Sequence, residues 1–174
     1  MLTPTSYIVL GLLERLGAAS PYDLKQVVAD SVGNFWSVPH SQIYRTADQL
    51  AGAGYLAVRE EATPGGRPRK LYSLTREGAD ELARWRDEPP VALPELRDAG
   101  LLKLFFGAEP RALARARLEA HRRQLRSYEE RQAFDTGEEP RGPWLTLASG
   151  IGHEREWVRF WAAIAEPGSE GAES

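Results

Sequence analysis

Two short stretches alternate apolar and polar residues, "YLAVREE" (55–61) and "RKLYSLT" (69–75), while the rest of the chain reads as helix or connection. One such pair builds a hairpin and no larger sheet, so the core has to be helical. Leu56 and Val58 fall in step with Tyr72 and Leu74, and the four are expected to form one buried face. The connection from Ala62 to Pro68 is too long for a two-residue turn, so its tip should project. That tip sets two glycines, which tolerate φ > 0, beside Arg67, Arg69 and Lys70. A turn does not need three cations in four residues. The tip is either a solvated loop or it meets something anionic.

Helical patterns surround the hairpin. "SYIVLGLLERLG" carries Tyr7, Ile8, Leu10, Leu12, Leu13 and Leu16 on more than one face, as in a helix packed on two sides, with Gly17 as its stop. "SPYDLKQVVADSVG" offers Ser20 as N-cap, Pro21 at the first helical position and Asp23 where a carboxylate reaches back to the cap amide. A third helix opens near Pro39 and runs to the glycines at 52 and 54, with Ile43, Ala47, Leu50 and Ala51 inward. His40, Ser41, Gln42, Tyr44 and Arg45 are left on its first turn and outer face. Thr75 caps a fourth helix, which ends at Pro89-Pro90.

Beyond the prolines the pattern stays helical. "ELRDAGLLKLFFG" (95–107) is expected to bury Leu96, Leu101, Leu102, Leu104, Phe105 and Phe106. In 110–134, Ala114, Leu118, His121, Leu125, Tyr128 and Gln132 recur at alternating steps of four and three, a seam for one partner helix. Residues 144–165 carry Trp144, Leu147, Ile151, Trp157, Val158, Phe160, Trp161 and Ile164. The acidic tail is expected to be disordered. The organisation that follows is a domain of helices and one hairpin at 1–88, a linker at 89–94, a helical domain at 95–166 and a tail at 167–174.

Several function classes are disfavoured. The net charge is -3, nearly balanced in both halves, so an anion-binding surface has to be local. There is no cysteine, hence no disulfide, thiolate nucleophile or sulfur metal site, and three scattered histidines do not suggest a metal centre. "SGIGHE" follows a helical pattern rather than a strand, so it is no dinucleotide loop. No serine stands in a nucleophile elbow, and no cofactor motif is present. The chain reads as a non-enzyme. With no apolar run near the ~20 residues of a membrane span and no signal-peptide pattern, it is expected in the cytoplasm.

Three helices followed by a two-stranded wing make the winged variant of the helix-turn-helix. In that arrangement the third helix enters the major groove and the wing reaches the backbone. Gln42 and Arg45 are the base-edge candidates, since amides pair with adenine and guanidinium with guanine. Ser41 and Tyr44 suit phosphates, as do Arg67, Arg69 and Lys70 in the wing.

Together, "LTPTSYIVLGLL", "SPYDLK", "FWSVPHSQIYRTADQLAGAGYL", "GGRPRKLYSLTREG" and "LLKLFFG" resemble the PadR family of transcriptional regulators, in its branch with a long helical C-terminus of the virulence-activator type. The likeness is close over 2–107 and looser beyond. It implies a mainly α fold, a winged helix-turn-helix followed by an α-helical dimerisation domain. It also implies a homodimeric repressor on double-stranded DNA, controlled by a small aromatic or phenolic effector. Family DNA contacts would fall on Ser41, Gln42, Tyr44, Arg45, Arg67 and Lys70. Arg45 departs from the residue the family often has after "IY". Trp157 and Trp161, one helical turn apart, together with Phe105, are the candidate effector pocket; filling core and interface is the plainer role for each. The alternative function is a winged-helix protein-interaction module without DNA binding.

Overall fold

The computed structural model describes residues 2–62, 68–90, 93–134 and 141–166. The chain forms two compact units, Met1–Ala92 and Leu93–Ser174. In the first, α1 (Pro4–Leu16), α2 (Pro21–Asp30), a 3-10 turn (Val32–Asn34) and α3 (His40–Gly52) precede β1 (Leu56–Glu61), β2 (Arg69–Leu74) and α4 (Arg76–Asp87). The second holds α5 (Ala99–Phe105), α6 (Pro110–Ala133) and α7 (Gly142–Ala165). The fold expected from the sequence, mainly helical with a two-stranded wing, is the fold observed.

Helix starts follow local chemistry. At α2 the Ser20 amide donates to Asp23 Oδ2 at 3.0 Å and the Asp23 amide donates to Ser20 Oγ at 3.3 Å, a reciprocal capping box. Thr75 Oγ1 accepts from the Gly78 amide at 3.1 Å and starts α4. Helix α1 is buried on two sides, with Val9, Leu10 and Leu13 joining Leu24 and Val28 of α2, Ile43, Ala47 and Leu50 of α3, and Leu82 of α4 in one core. Thr46, not expected inside, is buried too. Leu16, the last residue of α1, is exposed.

The hairpin has the expected register, Leu56 opposite Leu74 and Val58 opposite Tyr72. Its burial differs. Leu56 and Tyr72 belong to the core and Leu74 packs against it, but Val58 is 46% exposed. The reason is position. Leu56 is the only residue of the outer strand β1 that joins the core. β2 has a further neighbour, because Tyr72 and Ala19 exchange backbone hydrogen bonds of 2.9 and 3.0 Å in an antiparallel bridge. Leu71, on the face expected to be polar, is buried as well.

In the second unit the seam of α6 packs along α7. Ala114 and Leu118 meet the fully buried Trp161, while Tyr128 and Ile151 are buried further along. His121 lies on this seam, its Nδ1 2.6 Å from Glu154 Oε2 and its ring stacked on Trp157 at 5.7 Å. The short helix α5 corrects the expectation for 95–107. Asp98 Oδ1 accepts from the Leu101 amide at 2.8 Å and starts the helix only at Ala99. Seven residues then present one stripe, Leu101 and Leu104, to the cluster around Trp161. Leu96, Leu102, Phe105 (83%) and Phe106 (77%) are exposed.

Candidate nucleic-acid interface

Burial of Ile43, Thr46, Ala47 and Leu50 fixes the rotation of α3 and leaves Ser41, Tyr44, Arg45, Asp48 and Gln49 outward, with Gln42 half-buried. β2 begins with Arg69 and Lys70, both exposed. The two elements meet at a shallow cavity of about 440 Å³, lined by Tyr22, Tyr44, Asp48, Arg69, Lys70 and Tyr72 together with Ser20 and Pro21. Of the residues singled out in the sequence, the structure thus gathers Tyr44, Arg69 and Lys70. Ser41, Gln42 and Arg45 share the helix with Tyr44 but lie outside this cavity. Arg67 lies outside the described residues.

Two members were not anticipated. Tyr22, on the first turn of α2, is 56% exposed, accepts a hydrogen bond from Gln26 Nε2 at 3.0 Å and has Lys25 Nζ 6.0 Å from its ring. An exposed aromatic next to an N-cap was the available signal. Asp48 had none, because its role depends on another element. Its Oδ1 accepts from Tyr72 Oη at 2.7 Å and from Lys70 Nζ at 3.2 Å. Arg69 Nε donates to Glu61 Oε2 at 2.7 Å, and its Nη1 stands 4.0 Å from Asp23 Oδ2.

These contacts shift titration. The Tyr72 hydroxyl, then Lys70, hold the Asp48 carboxyl below the usual carboxylate range, and the Ser20 amide does the same for Asp23. Burial first, then Asp48, pushes the Tyr72 phenol up. Carboxyls depressed in the folded state stabilise it fully above their unfolded values, near pH 4, and lose that contribution as pH falls through the lower folded values. The denaturation midpoint of residues 1–92 should therefore drop below about pH 4. Asp48→Asn should flatten that drop in a urea titration from pH 6 to pH 2.5.

The proposed pocket in the second unit is gathered only in part. Trp157 and Trp161 stack at 6.4 Å, but Trp161 is fully buried, and Phe105 is outside the cluster, edge-on to Phe106 at 5.2 Å. An aromatic cavity that the sequence did not suggest lies in the first unit. It has a volume of about 660 Å³, with Tyr7, Phe35, Trp36 and Trp85 among its walls and Arg15, Arg86 and Glu88 also lining it. Tyr7 stacks on Trp85 at 4.6 Å and donates to Glu81 Oε1 at 2.9 Å, whereas Arg86 is paired with Glu14. Among the described residues no group of three His, Asp or Glu side chains suits a metal ion, and no helix is long and apolar enough to cross a membrane.

Residues 9–84 match the transcriptional regulator PadR-like family, and residues 96–166 match the virulence activator alpha C-terminal family. The chain carries a PadR-like domain followed by a virulence-activator-type C-terminal domain. The negative transcriptional regulator PadR of Bacillus subtilis is 37% identical to this chain over 103 residues, which are 58% of this chain and 54% of that protein. The chain spans about half the length of the curated relatives it matches, 54% and 42%. The crystal structure of B. subtilis PadR in complex with operator DNA is similar with a TM-score of 0.82 at 26% identity, over 92% of this chain and 96% of that one. B. subtilis PadR in complex with p-coumaric acid gives 0.74 at 25% identity, over 95% and 97%.

Proposed function

We propose that this PadR-like chain is a DNA-binding transcriptional regulator of the repressor kind, not an enzyme. It reads an inverted-repeat operator in the cytoplasm as a homodimer and is released by a small aromatic acid. The observation that carries the reading is the convergence of Tyr22, Tyr44, Arg69 and Lys70 from three elements on one exposed face of a winged helix. Tyrosine hydroxyls and cations gathered on one face suit phosphates, and α3 would bring Gln42 and Arg45 to base edges. Ser41 and Arg67 complete the backbone contacts. The similarity to PadR on operator DNA supports this assignment.

Residues 1–88 do the reading, 89–94 join, 95–166 dimerise, and 167–174 form a tail. Phe105 and Phe106, exposed in the single chain, are apolar surface that a second copy would cover. For the effector, the cavity in the first unit is better formed than the Trp157–Trp161 stack, whose inner indole is packed out by Ala114 and Leu118. Its aromatic walls suit a flat ring, and Arg15 suits a carboxylate. PadR crystallised with p-coumaric acid points to the same ligand chemistry.

Fluorescence anisotropy on a duplex from the chain's own upstream region, against a scrambled duplex, tests the reading. Wild type should prefer the former. Replacing both Arg69 and Lys70 with alanine should lower the slope of log K against log salt by about 0.9 for each lost phosphate contact. Gln42→Ala or Arg45→Ala should narrow the preference by about 1–3 kcal/mol while leaving that slope in place. Equal binding to both duplexes at every salt concentration, or no binding, would leave the protein-interaction alternative standing.

A further inference from the structure

Every described cation at the root of the wing already has an anion. Lys70 sits on Asp48 at 3.2 Å, and Arg69 on Glu61 at 2.7 Å with Asp23 at 4.0 Å. The acids come from three elements, α3, β1 and α2, and Asp48, Arg69 and Lys70 line the same cavity as Tyr22 and Tyr44. The side chains remain about half exposed, 48% for Arg69 and 54% for Lys70, so a phosphate can reach them. Each pair is held by one charge-assisted hydrogen bond to a carboxylate, the kind of contact that a phosphate oxygen also accepts from the same cation.

We propose that Asp48 and Glu61 are built-in competitors of the DNA backbone and set the gap between specific and non-specific affinity. The proposal rests on the DNA-binding reading above. Random DNA, which gives α3 no base-edge contacts, has to exchange each carboxylate for a phosphate with little return. An exposed ion pair of this kind holds its cation by a factor of roughly two to five. Operator DNA seats α3 through base contacts, brings its phosphates into register with the wing, and completes the exchange. A chain of net charge -3 thus avoids spending its regulators on the large excess of random sites.

Asp48 carries a second task that shapes the effect. Its Oδ1 also accepts from the buried Tyr72, so it stays tied to β2 after Lys70 has left. Lys70 therefore has a fixed anion to return to when DNA dissociates. Among the described residues Glu61 has no comparable hydroxyl anchor, only Arg59 Nη2 4.0 Å from its Oε1, and it competes through its charge and its place opposite Arg69 in the hairpin.

The test uses the full chain, its upstream duplex and the scrambled duplex, in anisotropy titrations from about 50 to 200 mM salt. Glu61→Gln should tighten binding to scrambled DNA about three-fold at low salt, and the double variant with Asp48→Asn about ten-fold. The salt slope on scrambled DNA should steepen by about one unit for each cation set free. Operator affinity should move less, so the ratio of the two affinities should fall. Asparagine at 48 still accepts from Tyr72, which keeps the strand in place; if it nonetheless fails to fold, Glu61→Gln, at a half-buried position, decides alone.

Glu60→Gln is the matched control, since it makes the same charge change one residue away and Glu60 takes part in none of these pairs. If it equals Glu61→Gln in affinity and slope, net charge explains the result and the proposal is overturned. An unchanged ratio in the double variant overturns it as well, while wild-type selectivity keeps the DNA-binding reading intact. Wild type that binds neither duplex removes that reading, and the competitor role with it.

Discussion

Gly78→Ala is expected to destabilise residues 1–92 by about 3 kcal/mol, although alanine is usually the better helix former by about 1 kcal/mol. A Cβ at position 78 would stand 2.2 Å from the Tyr55 carbonyl oxygen and 3.0 Å from Leu74 Cδ1. The carbonyl cannot move aside cheaply, because the Thr75 amide donates to it at 3.1 Å and Thr75 Oγ1 donates to the neighbouring Gly54 carbonyl at 2.8 Å. The whole N-terminus of α4 would have to lift from the turn before β1. Gly11 in α1 gives the opposite sign. Nothing lies within 4 Å of its added Cβ, so Gly11→Ala should gain up to about 1 kcal/mol. Hydrogen exchange read by peptide separates the two units, so the loss should appear in 2–90 and not in α6 and α7. Gly78→Ala with wild-type protection would remove the close approach from the account of α4.

The second large effect belongs to Trp161. It is fully buried between Ala114 and Leu118, with Arg117 Cζ 5.7 Å from its ring and Trp157 stacked beside it. Trp161→Ala should cost about 3–5 kcal/mol, because neither helix backbone can collapse into the space. Trp161→Phe should cost far less, because its ring refills most of the space that alanine leaves empty, while both variants remove a buried indole N–H without a hydrogen-bond partner among the described residues. Exchange in α6 and α7 should rise sharply in the alanine variant and modestly in phenylalanine's. Sedimentation should show the alanine variant losing any dimer that these helices build. Equal protection in both variants would mean that α6 and α7 hold together without this indole.

What the sequence disclosed was mostly local. The capping box at Ser20 and Asp23, the Thr75 cap and the Val58–Tyr72 register each depend on residues a few positions apart or on a period of two. Burial was harder. "LLKLFFG" is apolar throughout, and identity alone does not tell which face meets a neighbour. The Asp98 cap sets the helix phase, and only Leu101 and Leu104 reach the cluster. The interface was legible in part for the same reason. Tyr44, Arg69 and Lys70 stood out as side chains without an inward role, but Asp48 and Glu61 enter through pairing between elements. Nor did any spacing bring Trp36 beside Tyr7 and Trp85, since that cavity joins residues from three separate segments.

Tyr72 is gripped on several sides: its backbone binds Ala19 in both directions, it pairs with Val58, and its hydroxyl is held by Asp48. The hairpin ladder runs three pairs beyond that grip and ends at Glu61 opposite Arg69, which the connection 62–68 joins. An insertion or deletion there changes reach without disturbing the helices inboard of it. The length of the tip can thus be varied while β2 keeps its seat. Under the proposed DNA-binding reading, reach and foldedness are then set at different ends of one six-residue strand.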